Sequence, residues 1–308
     1  MTMMTPENMT MRLVILLSAC LAPAAAPAAL AIQSDGEQRD DRVTGVGSPA
    51  SGGAVHAFQQ CGAAEVAGAP GAVLERPDDP PDHRETIATR LEELSKLIGK
   101  SGKNDPADAR AIALMRGLAG EFSHSGPADQ ADILRGTSRV FLARRRAEKD
   151  GSRKTLLFIE AARSLGAMGE DADRLLLAQI DSKRHRDDLA LQKELILSLG
   201  KTRTKRARTN LVKLLKDHRP AFIATSATAL GYFTFEPSKV RKTLFEALLK
   251  ALLQAEGNAL GQNSTALAIW KAMRVPTNSS MRTLSGGNAS SPADWQRWWN
   301  KNKRGDWD

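Results

Sequence analysis

Three short marks recur along the middle of the chain: Ser164-Leu165-Gly166, Ser198-Leu199-Gly200 and Ala229-Leu230-Gly231. Their glycines are 34 and 31 residues apart. Each mark closes an apolar stretch and is followed by a polar turn. A leucine-rich stretch comes next: Leu175-Leu176-Leu177, then Leu211-Val212 with Leu214-Leu215, then Leu244 with Leu248-Leu249. A period in this range signals stacked supersecondary units, because one helix pair cannot bury its own apolar face and must share it with a neighbour. Each mark therefore predicts the end of one helix and the start of an antiparallel pair, with Leu165, Leu199 and Leu230 in the core. Composition points the same way. Ala, Leu, Lys and Arg favour helices, Ile and Val are outnumbered by Ala and Leu, and the chain has a single Tyr.

The flanks extend the helical pattern. Asp82-His83-Arg84-Glu85 has the spacing of a capping box, and Ile87, Leu91, Leu94 and Ile98 then share one helical face, with Gly99 as a stop. A second helix is predicted from Asp105-Pro106 to Gly120, and a third after Pro127 towards Arg144-Arg145-Arg146. Ser291-Pro292-Ala293-Asp294 opens a last helix, where Trp295, Trp298 and Trp299 stand at i, i+3 and i+4. Three rings on one face suit a cap over the open end of the last repeat. An aromatic ligand platform is the rival reading.

The Leu-Gly marks and Leu-Leu helices resemble the short, lyase-type HEAT-like repeats of exported bacterial proteins. There an Ala-Leu-Gly helix end is followed by a turn and a Leu-Leu helix. The resemblance covers residues 150–255 well, and 84–150 and 260–303 loosely. It implies an all-α fold: a right-handed solenoid of antiparallel helix pairs over residues 84–303, following a disordered N-terminal segment, with the second helices lining the concave surface. The Asp-x-x-Val-Arg usual between HEAT helices is poorly kept here. The Trp, Gly and Tyr landmarks of tetratricopeptide repeats and the Thr-Pro-Leu-His of ankyrin are absent. Some relatives of this repeat class are bilin lyases, an activity that does not transfer, because the repeats share no catalytic residue.

The N-terminus reads as an address. Arg12 precedes the apolar run Leu13–Leu17, and small residues continue to Ala31, the pattern of a secretory signal peptide spanning 1–31. Pro23 and Pro27 interrupt the run, which disfavours a membrane span. Within it, Leu17-Ser18-Ala19-Cys20 matches a lipobox, so acylation of Cys20 is the alternative to plain cleavage. Either places the mature chain outside the cytoplasm, in the periplasm or envelope. Residues 32–82, rich in Gly, Ala, Pro and Asp, read as a disordered linker. With only Cys20 and Cys61 present, no disulfide framework is expected.

No motif of known chemistry is found: neither H-E-x-x-H, nor G-x-S-x-G, nor a phosphate loop. His185, between Arg184 and Arg186, reads as solvated. Neither a catalytic residue nor a cofactor or metal site is expected, and the chain reads as no enzyme. The charge is uneven. Residues 32–140 hold 12 basic and 17 acidic side chains, net −5; residues 141–220 hold 20 and 11, net +9; residues 221–308 hold 11 and 6, net +5. On a helical projection Lys205, Arg206, Lys213 and Lys216 share one arc, opposite Ala207, Leu211, Leu214 and Leu215. Lys239, Lys242 and Lys250 cluster on the polar side of the next Leu-rich helix. Two functions compete: a non-catalytic exported scaffold binding a protein partner on its concave face, and a polyanion binder using the stripe across residues 201–250. The polyanion would be acidic lipid, polysaccharide or nucleic acid, the last disfavoured by export.

Overall fold

In a computed structural model, residues 81–99, 105–145, 155–261 and 263–307 are described. All belong to one compact unit, Gly71–Asp308. The leader, Cys20, Cys61 and the linker up to residue 80 lie outside them. Among the described residues the chain forms eleven α-helices, four short 3-10 turns and no strand.

The first three helices are α1 (Glu85–Gly99), α2 (Asp105–Glu121) and α3 (Pro127–Arg139). Then come α4 (Leu156–Ala167), α5 (Asp173–Ile180), α6 (Leu189–Lys201), α7 (Lys205–Leu214) and α8 (Pro220–Leu230). The last three are α9 (Ser238–Leu260), α10 (Ser264–Ser285) and α11 (Pro292–Asn302).

The packing order follows the sequence marks. Helix α2 packs on α4, α4 on α6, α6 on α8 and α8 on α10. Alongside this row, α5 packs on α6, α7 on α8, α9 on α10 and α11 on α9. The inner row is apolar on most sides, as a helix enclosed by neighbours must be. In α6, for example, Leu191, Leu195, Ile196 and Leu199 are all fully buried. Leu165, Leu199 and Leu230 are each 0% exposed.

The glycines of the marks stand at helix ends, as expected, with Gly231 the C-cap of α8, and they have a second role as well. Helices α4 and α6 continue beyond Gly166 and Gly200, to Ala167 and Lys201. A Cβ on Gly166 would lie 2.8 Å from the Cβ and 2.9 Å from the Cα of Ser198, the first residue of the next mark. A Cβ on Gly231 would meet Ser280 in turn, 2.7 Å from its Oγ and 3.2 Å from its Cβ. That assigns Ser280-Met281-Arg282 of α10 as a fourth mark. Met281 fills the leucine position at 0% exposure, while an exposed Arg282 takes the glycine position. No further helix has to approach there, so the glycine is no longer required.

Two other expectations are corrected. The Asp82 carboxylate does not close a local capping box. It accepts the N–H groups of Ala128 and Asp129 at 3.1 and 2.8 Å, capping α3. Asp129 in turn accepts the Arg84 N–H at 3.2 Å, at the start of α1. Each aspartate thus serves the other's helix. His185 is buried, not solvated. Its ring sits against Phe141 and Phe158, with centroids 5.9 and 5.2 Å away, and Nε2 is 3.2 Å from the Phe141 carbonyl oxygen. The aromatic pair outweighs the charged neighbours.

Helix α11 lies against α9 through aromatic packing. The Phe245 ring is 5.2–5.6 Å, centroid to centroid, from Trp295, Trp298, Trp299 and Trp307. Trp295 is fully buried, and its Nε1 donates to Asn278 Oδ1 at 3.0 Å, so the one polar atom of that indole is satisfied.

Candidate binding groove

The predicted basic residues do not form one stripe. On α7, Lys205 and Lys213 are exposed and make no ion pair among the described residues. Arg206 is committed: its guanidinium donates to Asp173 Oδ1 at 2.8 Å. Asp173 also accepts from Thr204 Oγ1 at 2.8 Å, and Thr204 Oγ1 caps α7 by accepting the Ala207 N–H. Asp173 therefore ties the starts of α5 and α7 together. Lys239 and Lys242 lie at the far end of α9, bordering a shallow hollow with Arg304. Lys242 Nζ donates to the Gly305 carbonyl at 2.6 Å and faces the Trp307 ring.

Lys216, in the turn after α7, and Lys250, on α9, are brought together. They border a groove of about 620 Å³ between α7 and α9. Val212 and Leu215 form one wall, Ala247, Ala251 and Ala255 the other, and Ile223, Ile269 and Met273 contribute from α8 and α10. The alanines, spaced by four, lie on one face of α9. The large side chains of that helix, Leu244, Phe245, Leu248 and Leu252, are buried in the core. A methyl reaches too short a distance to close the space towards α7, so an open groove is left there. A second hollow of about 400 Å³ continues the groove past Ala255, Asn258 and Ile269 to Thr265 and Ala266.

The rim is electrostatically one-sided. Asp217 lies on the groove, but its carboxylate is occupied by Arg219, which donates from Nε and NH2 at 2.9 and 2.8 Å and from its backbone N–H at 2.8 Å. These hydrogen bonds, the side-chain ones above all, hold the Asp217 carboxyl below its usual range against the opposing effect of burial. The Arg219 guanidinium also stacks on Phe222, 3.3 Å from the ring centroid. Lys216 and Lys250 make no ion pair among the described residues and are left to face whatever enters.

A second charged arrangement crosses the inner row. Arg116 of α2 donates to Glu160 of α4 at 2.8 Å, Arg163 donates to the other Glu160 oxygen at 2.8 Å, and Arg163 also reaches Glu194 of α6 at 3.0 Å. Burial alone would raise the Glu160 carboxyl, but the hydrogen bonds from Arg116 and Arg163 outweigh it and the net shift is downward. Glu160 and Glu194 both stand four residues before the serine of their mark, so stacking of equivalent positions brings them into line. The ladder is fully paired and reads as structural.

Among the described residues no group of three His, Cys, Asp or Glu side chains is placed to hold a metal ion, and no helix is long and apolar enough to cross a membrane. No protein-family model, no curated protein and no solved structure matches the chain. The groove escapes a reading of the sequence because its walls are marked by absent bulk. Its one signal is the Ala247, Ala251, Ala255 spacing within an otherwise Leu-rich helix.

Proposed function

We propose that this chain is an exported, non-catalytic binding scaffold: a HEAT-like, right-handed solenoid of antiparallel helix pairs that holds a protein partner on the face built by α5, α7 and α9. Supporting the solenoid are the ordered stacking of α2, α4, α6, α8 and α10 and the Leu-Gly marks at the ends of α4, α6 and α8. Arg12, the apolar run after it and Ala31 support export, with Cys20 acylation as the variant that would tether the chain to a membrane.

The observation that carries the binding reading is the pairing of a groove with unneutralised lysines on one face of the array. The test is site-specific photo-crosslinking in the native envelope, with a benzophenone side chain at Thr209, Lys213 or Gln254 on this face and at Ser138 or Arg297 elsewhere. A discrete protein adduct from the first three positions alone supports the scaffold. Adducts from all positions alike, or from none, overturn it.

A further inference from the structure

We infer that the groove between α7 and α9 is a binding site for a single-chain anionic amphiphile, of the fatty-acid class, with its carboxylate between Lys216 and Lys250 and its alkyl chain along the alanine row. The inference rests on this face being the binding face, but not on the partner being a protein. Three properties of the site select the ligand class.

Size comes first. At about 620 Å³ the groove falls in the range of small-ligand clefts, roughly 300–1,000 Å³. A protein partner would have to cover the wider face around it, since a stable protein interface needs about 800 Å² on each side. Shape is the second property. From Lys250 to Asn258 the α9 wall runs about 12 Å at 1.5 Å per residue, and the adjoining hollow prolongs it to Ala266. The apolar lining thus runs lengthwise along α9 into a second hollow, a path that an extended chain can follow further than a compact ring system can. Charge is the third. The cations stand at the Lys250 end, Asp217 is neutralised by Arg219, and the far end is bordered by the uncharged Asn258, Asn263 and Thr265. The site is therefore polar and positive at one end and apolar and neutral along its length.

A carboxylate on the rim gains two ammonium partners while staying in contact with water, so its desolvation is small. The chain supplies the greater part of the affinity. Each methylene removed from water is worth about 0.8 kcal/mol, close to fourfold in affinity, until the chain outgrows the groove.

The experiment is a fluorescence titration of the full chain with 11-(dansylamino)undecanoic acid, followed by displacement with unlabelled saturated fatty acids of increasing length. The expected result is saturable one-to-one binding. Displacement should strengthen roughly threefold to fourfold per methylene and then level off, and the methyl esters should compete at least tenfold less well than the acids. The surface variant K216E/K250E and the groove-filling variant A251L should each weaken binding at least tenfold, with circular dichroism unchanged. K239E/R304E, at the other end of α9, should bind like the parent. Absence of saturable binding, or parental affinity in K216E/K250E, overturns the inference. So does retention of the chain on anionic phospholipid vesicles with no uptake of free fatty acid, which would indicate a membrane-facing patch. If binding fails while crosslinked protein adducts form on the same face, the ligand class is wrong and the scaffold reading stands.

Discussion

A Cβ placed on Gly200 would lie 2.8 Å from the Cβ of Ala229 and 2.9 Å from its carbonyl oxygen. Helices α6 and α8 thus meet backbone to backbone at a point where neither can yield. Gly200→Ala should therefore destabilise the fold by about 1–3 kcal/mol, the usual cost of overpacking, despite a helix-propensity gain of about 1 kcal/mol. Gly257, in α9, is exposed, and a Cβ added there would meet nothing within 4 Å. Gly257→Ala should stabilise by up to about 1 kcal/mol. Urea midpoints of the two variants should move in opposite directions. A shared direction would mean that Gly200 is not a contact point between helices.

The Glu160 ladder predicts an acid-sensitive contribution. In the folded chain its carboxyl lies below the ordinary glutamate value, held there by Arg116 and Arg163 against the effect of burial. A depressed carboxyl stabilises above its unfolded value, and that contribution is lost as pH falls through the folded value. Stability should thus drop on acidification from about pH 5 downward, in addition to any general acid effect. Glu160→Gln should remove this part and cost about 1–3 kcal/mol at pH 7, because the arginines keep one side in water. Equal pH profiles for parent and variant would dismiss the ladder as a stabilising element.

Trp295 and Phe245 predict how the C-terminal helix is anchored. Trp295→Ala removes a fully buried indole and strands Asn278 Oδ1, so a loss of about 3–5 kcal/mol is expected. Deleting residues 291–308 should expose Phe245 and lower both melting temperature and solubility, with or without any ligand. A truncated chain that melts like the parent would show the aromatic cluster to be dispensable for folding and available for another role.

What is legible in the sequence depends on whether the deciding contact is local. The helical class and the burial of Leu165, Leu199 and Leu230 follow from spacing, since periodic apolar residues determine which side of a helix faces inward. The fourth mark at Ser280 is hidden, because Met281 and Arg282 break the pattern that a terminal helix no longer needs. Asp82 reads as a cap of its own helix, since a capping box and a long-range cap look identical in sequence. His185 reads as solvated from its charged neighbours, while Phe141 and Phe158, distant in the chain, decide its burial. The seven basic residues project onto helical faces, but a projection does not reveal that Asp173 occupies Arg206 or that the Gly305 carbonyl occupies Lys242. Only across the α7–α9 gap do Lys216 and Lys250 become one site.

The remaining prediction separates a local cationic face from a diffuse positive field. Lys205 and Lys213 are exposed on α7 without an ion-pair partner among the described residues, whereas Arg206 holds Asp173. Reversing the two lysines, K205E/K213E, should leave stability within about 0.5 kcal/mol, as solvated changes do. Reversing Arg206 instead sets two carboxylates against each other, one of them buried, and should destabilise the chain. On an anionic matrix K205E/K213E should elute at lower salt than the parent, and the dependence of retention on salt should be shallower, because fewer counterions are exchanged. Arg297 and Lys301, on α11, serve as the control pair. If R297E/K301E lowers retention as much as K205E/K213E, the attraction reflects net charge alone and α7 has no special part in it. If the α7 pair dominates, α7 carries a local cationic face, and added salt should weaken retention of the parent more steeply than that of K205E/K213E.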